Sequence, residues 1–356
     1  MGSNVDGETA ARAFGALLLV AALGACGDSS DGDEGAEPDA GAEAPDAPPP
    51  WGALTHEHTF EGLSLEGSEE SSTLCQSWDL GNEDELWVTR IDQDNGGSWH
   101  HSNWFFVDEG TYDGPEGTWP CADRGFSNIA AGAAGGVFFA QSTQASGESQ
   151  AFGHGKALRI PPRSRIVGQI HLLNTSDSPV EDTALTFSVY TTDADSVEVP
   201  LFPASFTNEA LSIPPMARSR FHMDCRLSAQ RDGLNLYYVL PHFHSLGDYF
   251  ALSLQGGERD GEVLFESETP IGEPLGMAFD PPLRIDGADA MRMTCGFSSD
   301  RDEVVGYGIG DQEMCVVLLY HDADAKFGGI GFGDSTQGEA DGDVEQFDAS
   351  CTAIGL

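Results

Sequence analysis

Ten histidines run through the chain, and five stand in arrangements suited to metal chemistry. His100 and His101 are adjacent, within Ser98-Trp99-His100-His101-Ser102. His171 closes Gln169-Ile170-His171 inside an apolar, strand-like run. His242 and His244 alternate in Pro241-His242-Phe243-His244. Residues at i and i+2 of a strand face one side, so His242 and His244 make a two-point grip on an ion. Neighbours on a regular strand face opposite sides. His100 and His101 therefore reach one ion only at a bulge or a strand end, and Gly96-Gly97 just upstream suits such an irregularity. No carboxylate or thiolate cluster accompanies the five. Imidazole-only ligation suits copper or zinc, and a thioether ligand selects Cu(I). Met314, in Glu313-Met314-Cys315, is the thioether candidate. His154, His222 and His321 read as structural, and His56 and His58 as a solvated pair.

Six cysteines follow Cys26: Cys75, Cys121, Cys225, Cys295, Cys315 and Cys351. An even number in an exported chain predicts three disulfides, with the pairing left open by spacing alone. There is no CxxC pair to suggest a zinc ribbon or a thioredoxin-type site.

The ordered set His-His, Gln-x-His, His-x-His and Glu-Met-Cys resembles the copper type II, ascorbate-dependent monooxygenases. That family includes the peptidylglycine α-hydroxylating and dopamine β-monooxygenases. The resemblance spans about Cys75 to Tyr320 and implies two copper ions per chain. His100, His101 and His171 would hold an electron-transfer copper. His242, His244 and Met314 would hold the catalytic, oxygen-binding copper. The implied reaction hydroxylates a C–H bond of a small organic substrate with O2, ascorbate or an equivalent supplying electrons. The implied fold is all-β, with two tandem antiparallel, jelly-roll-like β-sandwiches facing across a cleft, one copper in each. The implied disulfides are Cys75–Cys121, Cys295–Cys315 and Cys225–Cys351.

The chain departs from the family where the substrate binds. The amidating enzymes carry an Arg two residues before His-x-His, and Asn and Tyr after Met-Cys, to hold a peptide carboxylate. Leu240, Val316 and Leu318 occupy those places here. Without the Arg–carboxylate fork, a peptidylglycine substrate is not expected. The expected pocket is apolar, around Leu240, Val316, Leu318 and Tyr320. The contrasting expectation is a non-catalytic copper-binding surface lipoprotein of the same fold.

These side chains need rigid elements to hold them. Leu86–Ile91, Ile166–Leu173, Leu185–Tyr190, Leu236–Leu240, Tyr249–Leu254 and Met314–Tyr320 are short apolar or β-branched runs, most of them bounded by Gly, Pro, Asn or Asp. With no long amphipathic helix, they predict antiparallel sandwiches. The stretch 199–208, with Pro200 and Pro203, reads as the boundary between domains 51–203 and 204–356. Gly328-Gly329-Ile330-Gly331-Phe332-Gly333 reads as a turn or loop, lacking the βαβ context of a nucleotide site.

Residues 1–25 read as a lipoprotein signal peptide. Its apolar core, Phe14 to Ala25, ends in Leu23-Gly24-Ala25-Cys26, where Cys26 is the expected lipidation site. Residues 26–50 form an acidic, Pro-, Ala- and Gly-rich tether. The expected location is exported and lipid-anchored to a bacterial membrane, on its periplasmic or cell-surface side. The formal charge of −43 over 356 residues excludes nucleic-acid binding through a basic surface. Lys156 and Lys326 are the only lysines. The expected state is a monomer, with a small molecule and O2 as partners.

Overall fold

Apolar and β-branched runs separated by Gly, Pro and Asp turns give an almost wholly β body in the computed structural model. It describes residues 52–95, 99–142, 145–227, 233–268, 275–324 and 327–355. The signal peptide, the tether, Cys26 and Gly96-Gly97 lie outside the described residues. The described residues form one compact unit. The one α-helix among the described residues is Asn128–Ala134. It stops at Gly135, where a Cβ would stand 1.5 Å from the Phe106 carbonyl oxygen, so no other residue fits there without a backbone shift.

A five-stranded antiparallel sheet runs in the order Gly117–Pro120, Glu70–Asp79, Ser164–Leu173, Trp99–Asp108, Gly136–Ala140. Across a core of Phe60, Trp78, Trp104, Phe138 and Phe187 it meets Ala53–Leu65, Val180–Thr192, Leu86–Asp94 and Lys156–Ile160. A second core, with Phe221, Phe250, Met291, Met293 and Phe297 among its members, lies under the ladder Arg218–Arg226, Ala290–Ser298, Gly247–Gln255, Val263–Ser267.

The strands Leu234–His242 and Val316–His321 stand between the two cores. Val239, Val317 and Leu319 pack into the second core, whereas Tyr238, Leu240, Leu318 and Tyr320 pack into the first. Burial on both faces is why Val316-Val317-Leu318-Leu319-Tyr320 shows no apolar/polar alternation. Each large apolar side chain buried there contributes about 1.5–3 kcal/mol, so this wall binds the halves together.

Two expectations change. Residues 199–208, read as the domain boundary, form the strand Val199–Asn208. Its start pairs in parallel with Lys156–Ile160, and it continues beside Val316–His321 and Phe327–Gly331. Proline is tolerated in a strand where no ladder N–H is required. The glycine run is likewise not a loop from its start, since Phe327–Gly331 is a strand. A Cβ on Gly329 would sit 2.6 Å from the sulfurs of both Cys225 and Cys351, so the disulfide's close approach requires glycine.

The disulfides are Cys75–Cys121, Cys225–Cys351 and Cys295–Cys315. Three disulfides mark a protein of an oxidising compartment, extracellular or periplasmic. Alkylation of the unreduced, denatured protein should label none of these six cysteines. Two or more labelled thiols from Cys75 onward would contradict the pairing.

Candidate metal centre

The five singled-out histidines converge. Register along Trp99–Asp108 and Ser164–Leu173 is regular from His101↔His171 to Asp108↔Ser164, but it slips between Trp99 and His101. His100 is the extra residue of that bulge, which frees its ring from strict alternation with His101. The two rings approach with Nδ1 atoms 3.0 Å apart. His171, directly opposite His101, has its ring centroid 4.7 Å from that of His100 and 4.8 Å from that of His101.

His242 ends its strand and His244 lies just past it, with ring centroids 5.3 Å apart. They do not form a separate site. The His101 ring is 4.8 Å from His242 and 4.9 Å from His244, and His100 is 5.3 Å from His244. Two groups of potential ligand atoms result, His100/His101/His171 and His101/His242/His244. Within each group the atoms all lie within 4.8 Å of one another. None of the other described histidines joins them; His58, for instance, stacks on Trp78 at 4.8 Å.

Protein contacts fix which nitrogen each ring offers. His242 Nδ1–H donates to the Ser142 carbonyl at 2.9 Å, and His244 Nδ1–H to the Gln312 carbonyl at 2.8 Å. A carbonyl only accepts, so each Nε2 carries a lone pair. His171 Nε2–H donates to the Glu70 carboxylate at 2.6 Å, leaving Nδ1. His171 Nδ1, His242 Nε2 and His244 Nε2 are buried without a hydrogen-bond partner. Each buried, unsatisfied acceptor costs about 1–3 kcal/mol, a cost that a metal ion removes. A carboxylate or carbonyl behind a metal-binding imidazole is the usual way of aiming it.

The rings are also kept in the form that binds metal. Burial, then the neighbouring imidazoles, hold His100 down at about 3. Burial and His244 hold His242 at about 3, and burial holds His244 at about 4. His101 is driven well below its ordinary value for the same reasons. Burial lowers His171 too, despite the opposing pull of Glu70. Neutral rings with free lone pairs fit copper or zinc.

Two buried carboxyls that sequence reasoning did not single out brace the centre. Glu313 accepts from the backbone N–H groups of His244, Leu246 and Met314 at 2.8, 2.7 and 3.3 Å. It thereby clips the end of the His-x-His segment to the methionine segment, which the Cys295–Cys315 bond pins from the other side. Glu148 accepts from both Ser142 N–H and Oγ–H, at 2.8 and 2.6 Å, and Ser142 in turn holds His242. Burial pushes both carboxyls up to about 7. Glu313 lies within the Glu-Met-Cys motif. Glu148, in Gly147-Glu148-Ser149, carries no local signal, and nor does Glu70, beside Glu69.

Met314 is nearly buried and lines a cavity of about 530 Å³. Asn103 and Gln169 pair across the same two strands as His101 and His171, two residues further along each, and so share their face. Both line the cavity, with Phe105, Val137, Ile129, Val316, Leu318 and Phe327. The cavity thus begins about 7 Å along the sheet from the imidazoles. Of the residues expected to form a pocket, Val316 and Leu318 do so. Leu240 and Tyr320 are core instead, the Tyr320 hydroxyl donating to the Phe138 carbonyl at 3.2 Å. Glu209 is the single charged residue of the lining, and no Lys or Arg reaches it.

No protein-family model and no curated protein matches the chain. Among solved structures, the chain is similar to the major capsid protein P2 of bacteriophage PM2. The two share 7% identity at a TM-score of 0.31, over 75% of this chain and 97% of that one.

Proposed function

We propose that the protein is a copper-dependent monooxygenase, exported and lipid-anchored through Cys26, that hydroxylates a C–H bond of a small apolar molecule. The observation that carries this reading is the convergence of five neutral imidazoles, four of them buried and three with partnerless nitrogens, beside an apolar cavity that Met314 lines. His100, His101 and His171 would hold one copper, and His242, His244 and Met314 another. Copper so held supplies one-electron transfer and the activation of O2, with ascorbate or an equivalent reductant as the electron source.

The chain's own residues do the rest. Ser142, Gln312 and Glu70 aim the rings, and Glu148 and Glu313 keep those supports in place. The apolar lining excludes water and accommodates a substrate without carboxylate or phosphate, since no cation lines the cavity to receive one.

The test is copper stoichiometry of the reconstituted protein, with oxygen uptake in the presence of ascorbate and a panel of small apolar compounds. Bound copper and substrate-dependent oxygen uptake are expected. Negligible copper overturns the reading. Full copper loading without reductant-dependent uptake would make the protein a copper-binding lipoprotein instead.

A further inference from the structure

We infer that the five histidines form one metal centre in which His101 is common to both ligand sets, so that filling one set alters the other. The inference rests on the copper reading, but it departs from the expectation of two separate sites across a cleft. His101 belongs to both groups of ligand atoms, and its ring is within 4.8–5.2 Å of the other four. It is buried, so it cannot turn to solvent to serve one side only.

The approach of the two sets is built by hydrogen bonds rather than left to loose contact. Gln141 N–H donates to the Ser102 carbonyl, one residue from His101, at 3.0 Å. The next residue, Ser142, accepts from His242 at 2.9 Å. Ser142 is itself fixed three times, by Glu148 on its N–H and its hydroxyl and by the Leu275 N–H on its Oγ at 2.9 Å. One short segment thus ties the bulged strand of the first half to the His-x-His strand of the second.

An imidazole nitrogen has one lone pair to give. His101 can serve two ions only through both ring nitrogens, with loss of its N–H proton, or by yielding to whichever ion binds first. Neighbouring cations also repel each other in a poorly solvated site. Either way the two ions are interdependent.

The experiment titrates Cu(I) against a chromophoric chelator in the full chain and its H101A, H171A and H242A variants. Wild type should bind two ions in unequal steps, the second roughly tenfold or more weaker. H171A and H242A should each weaken one step, whereas H101A should weaken both. The Cu(II)-loaded wild type should show an EPR intensity below two independent spins and a half-field line. That measurement needs no variant, so it stands even if H101A does not fold. If H101A weakens one step and leaves the other as in wild type, or if two full, uncoupled spins appear, the shared centre is wrong while the copper reading survives. Wild type that binds no copper removes both.

Discussion

Met314→Ala is expected to abolish ascorbate-dependent hydroxylation while leaving copper on the histidines of the first set. The thioether is the one soft ligand of the proposed oxygen-binding site, and it favours the reduced ion that meets O2. Its removal should slow turnover by about 10³-fold or more, roughly 4 kcal/mol of barrier. Met314 is also nearly buried, so truncation to alanine costs ~2 kcal/mol or more of stability. Met314→Leu separates the two effects, because it restores most of the volume without sulfur. Both variants should lose activity and the copper–sulfur contribution to X-ray absorption, but only the alanine variant should lose melting temperature. Full activity in Met314→Leu would show that sulfur ligation is not required.

The second large effect is a loss of stability in mild acid. His100, His242 and His244 titrate at about 3, 3 and 4 in the fold, and His101 well below its ordinary value. In the unfolded chain such rings titrate near 6.5. Above that value both states are neutral and these rings contribute nothing to pH dependence. As pH falls through it, the unfolded chain takes up protons that the fold refuses, so stability drops down to pH 3–4. Glu148 and Glu313 act in the opposite sense. Their folded values of about 7 lie above the unfolded ones, so their penalty at neutral pH is relieved between about pH 7 and 4.5. Near pH 5 the balance is a net uptake of between two and three protons on unfolding, or roughly 3 kcal/mol per pH unit. Urea unfolding of metal-free protein at pH 7 and pH 5 measures it. A midpoint unchanged between the two would contradict the burial of neutral rings. If copper is the ligand, it should raise the midpoint at pH 7, because the fold gathers imidazoles that the unfolded chain leaves apart.

The ligand types and the strand character of the body are legible in the chain. The bulge-requiring His-His pair follows from the period of a strand, and the bulge lies where it is demanded; His-x-His does not keep that period, since the strand ends at His242 and His244 lies past it. The supports are not legible in this way. Glu148 acts on His242 through Ser142, and Glu70 meets His171 across 101 positions. Such partners are chosen by the fold, not by local spacing. The pocket was half legible for a related reason. In a strand buried on both faces every residue is apolar, so sequence does not say that Leu318, besides packing in the core, lines a cavity that Tyr320 does not reach. The same two-sided burial hides in sequence how closely the halves share one body.

That shared wall also sets an order of events during biosynthesis. A ribosome releases this chain from its N-terminus. The first core closes only on Tyr237, Tyr238, Leu240, Leu318 and Tyr320, which emerge after the rest of that core is complete at Leu201. Until then a nascent first half exposes an aromatic-rich face that nothing of its own can cover. The first core is therefore completed only when synthesis is nearly finished, whereas Cys75 and Cys121 both emerge well before that.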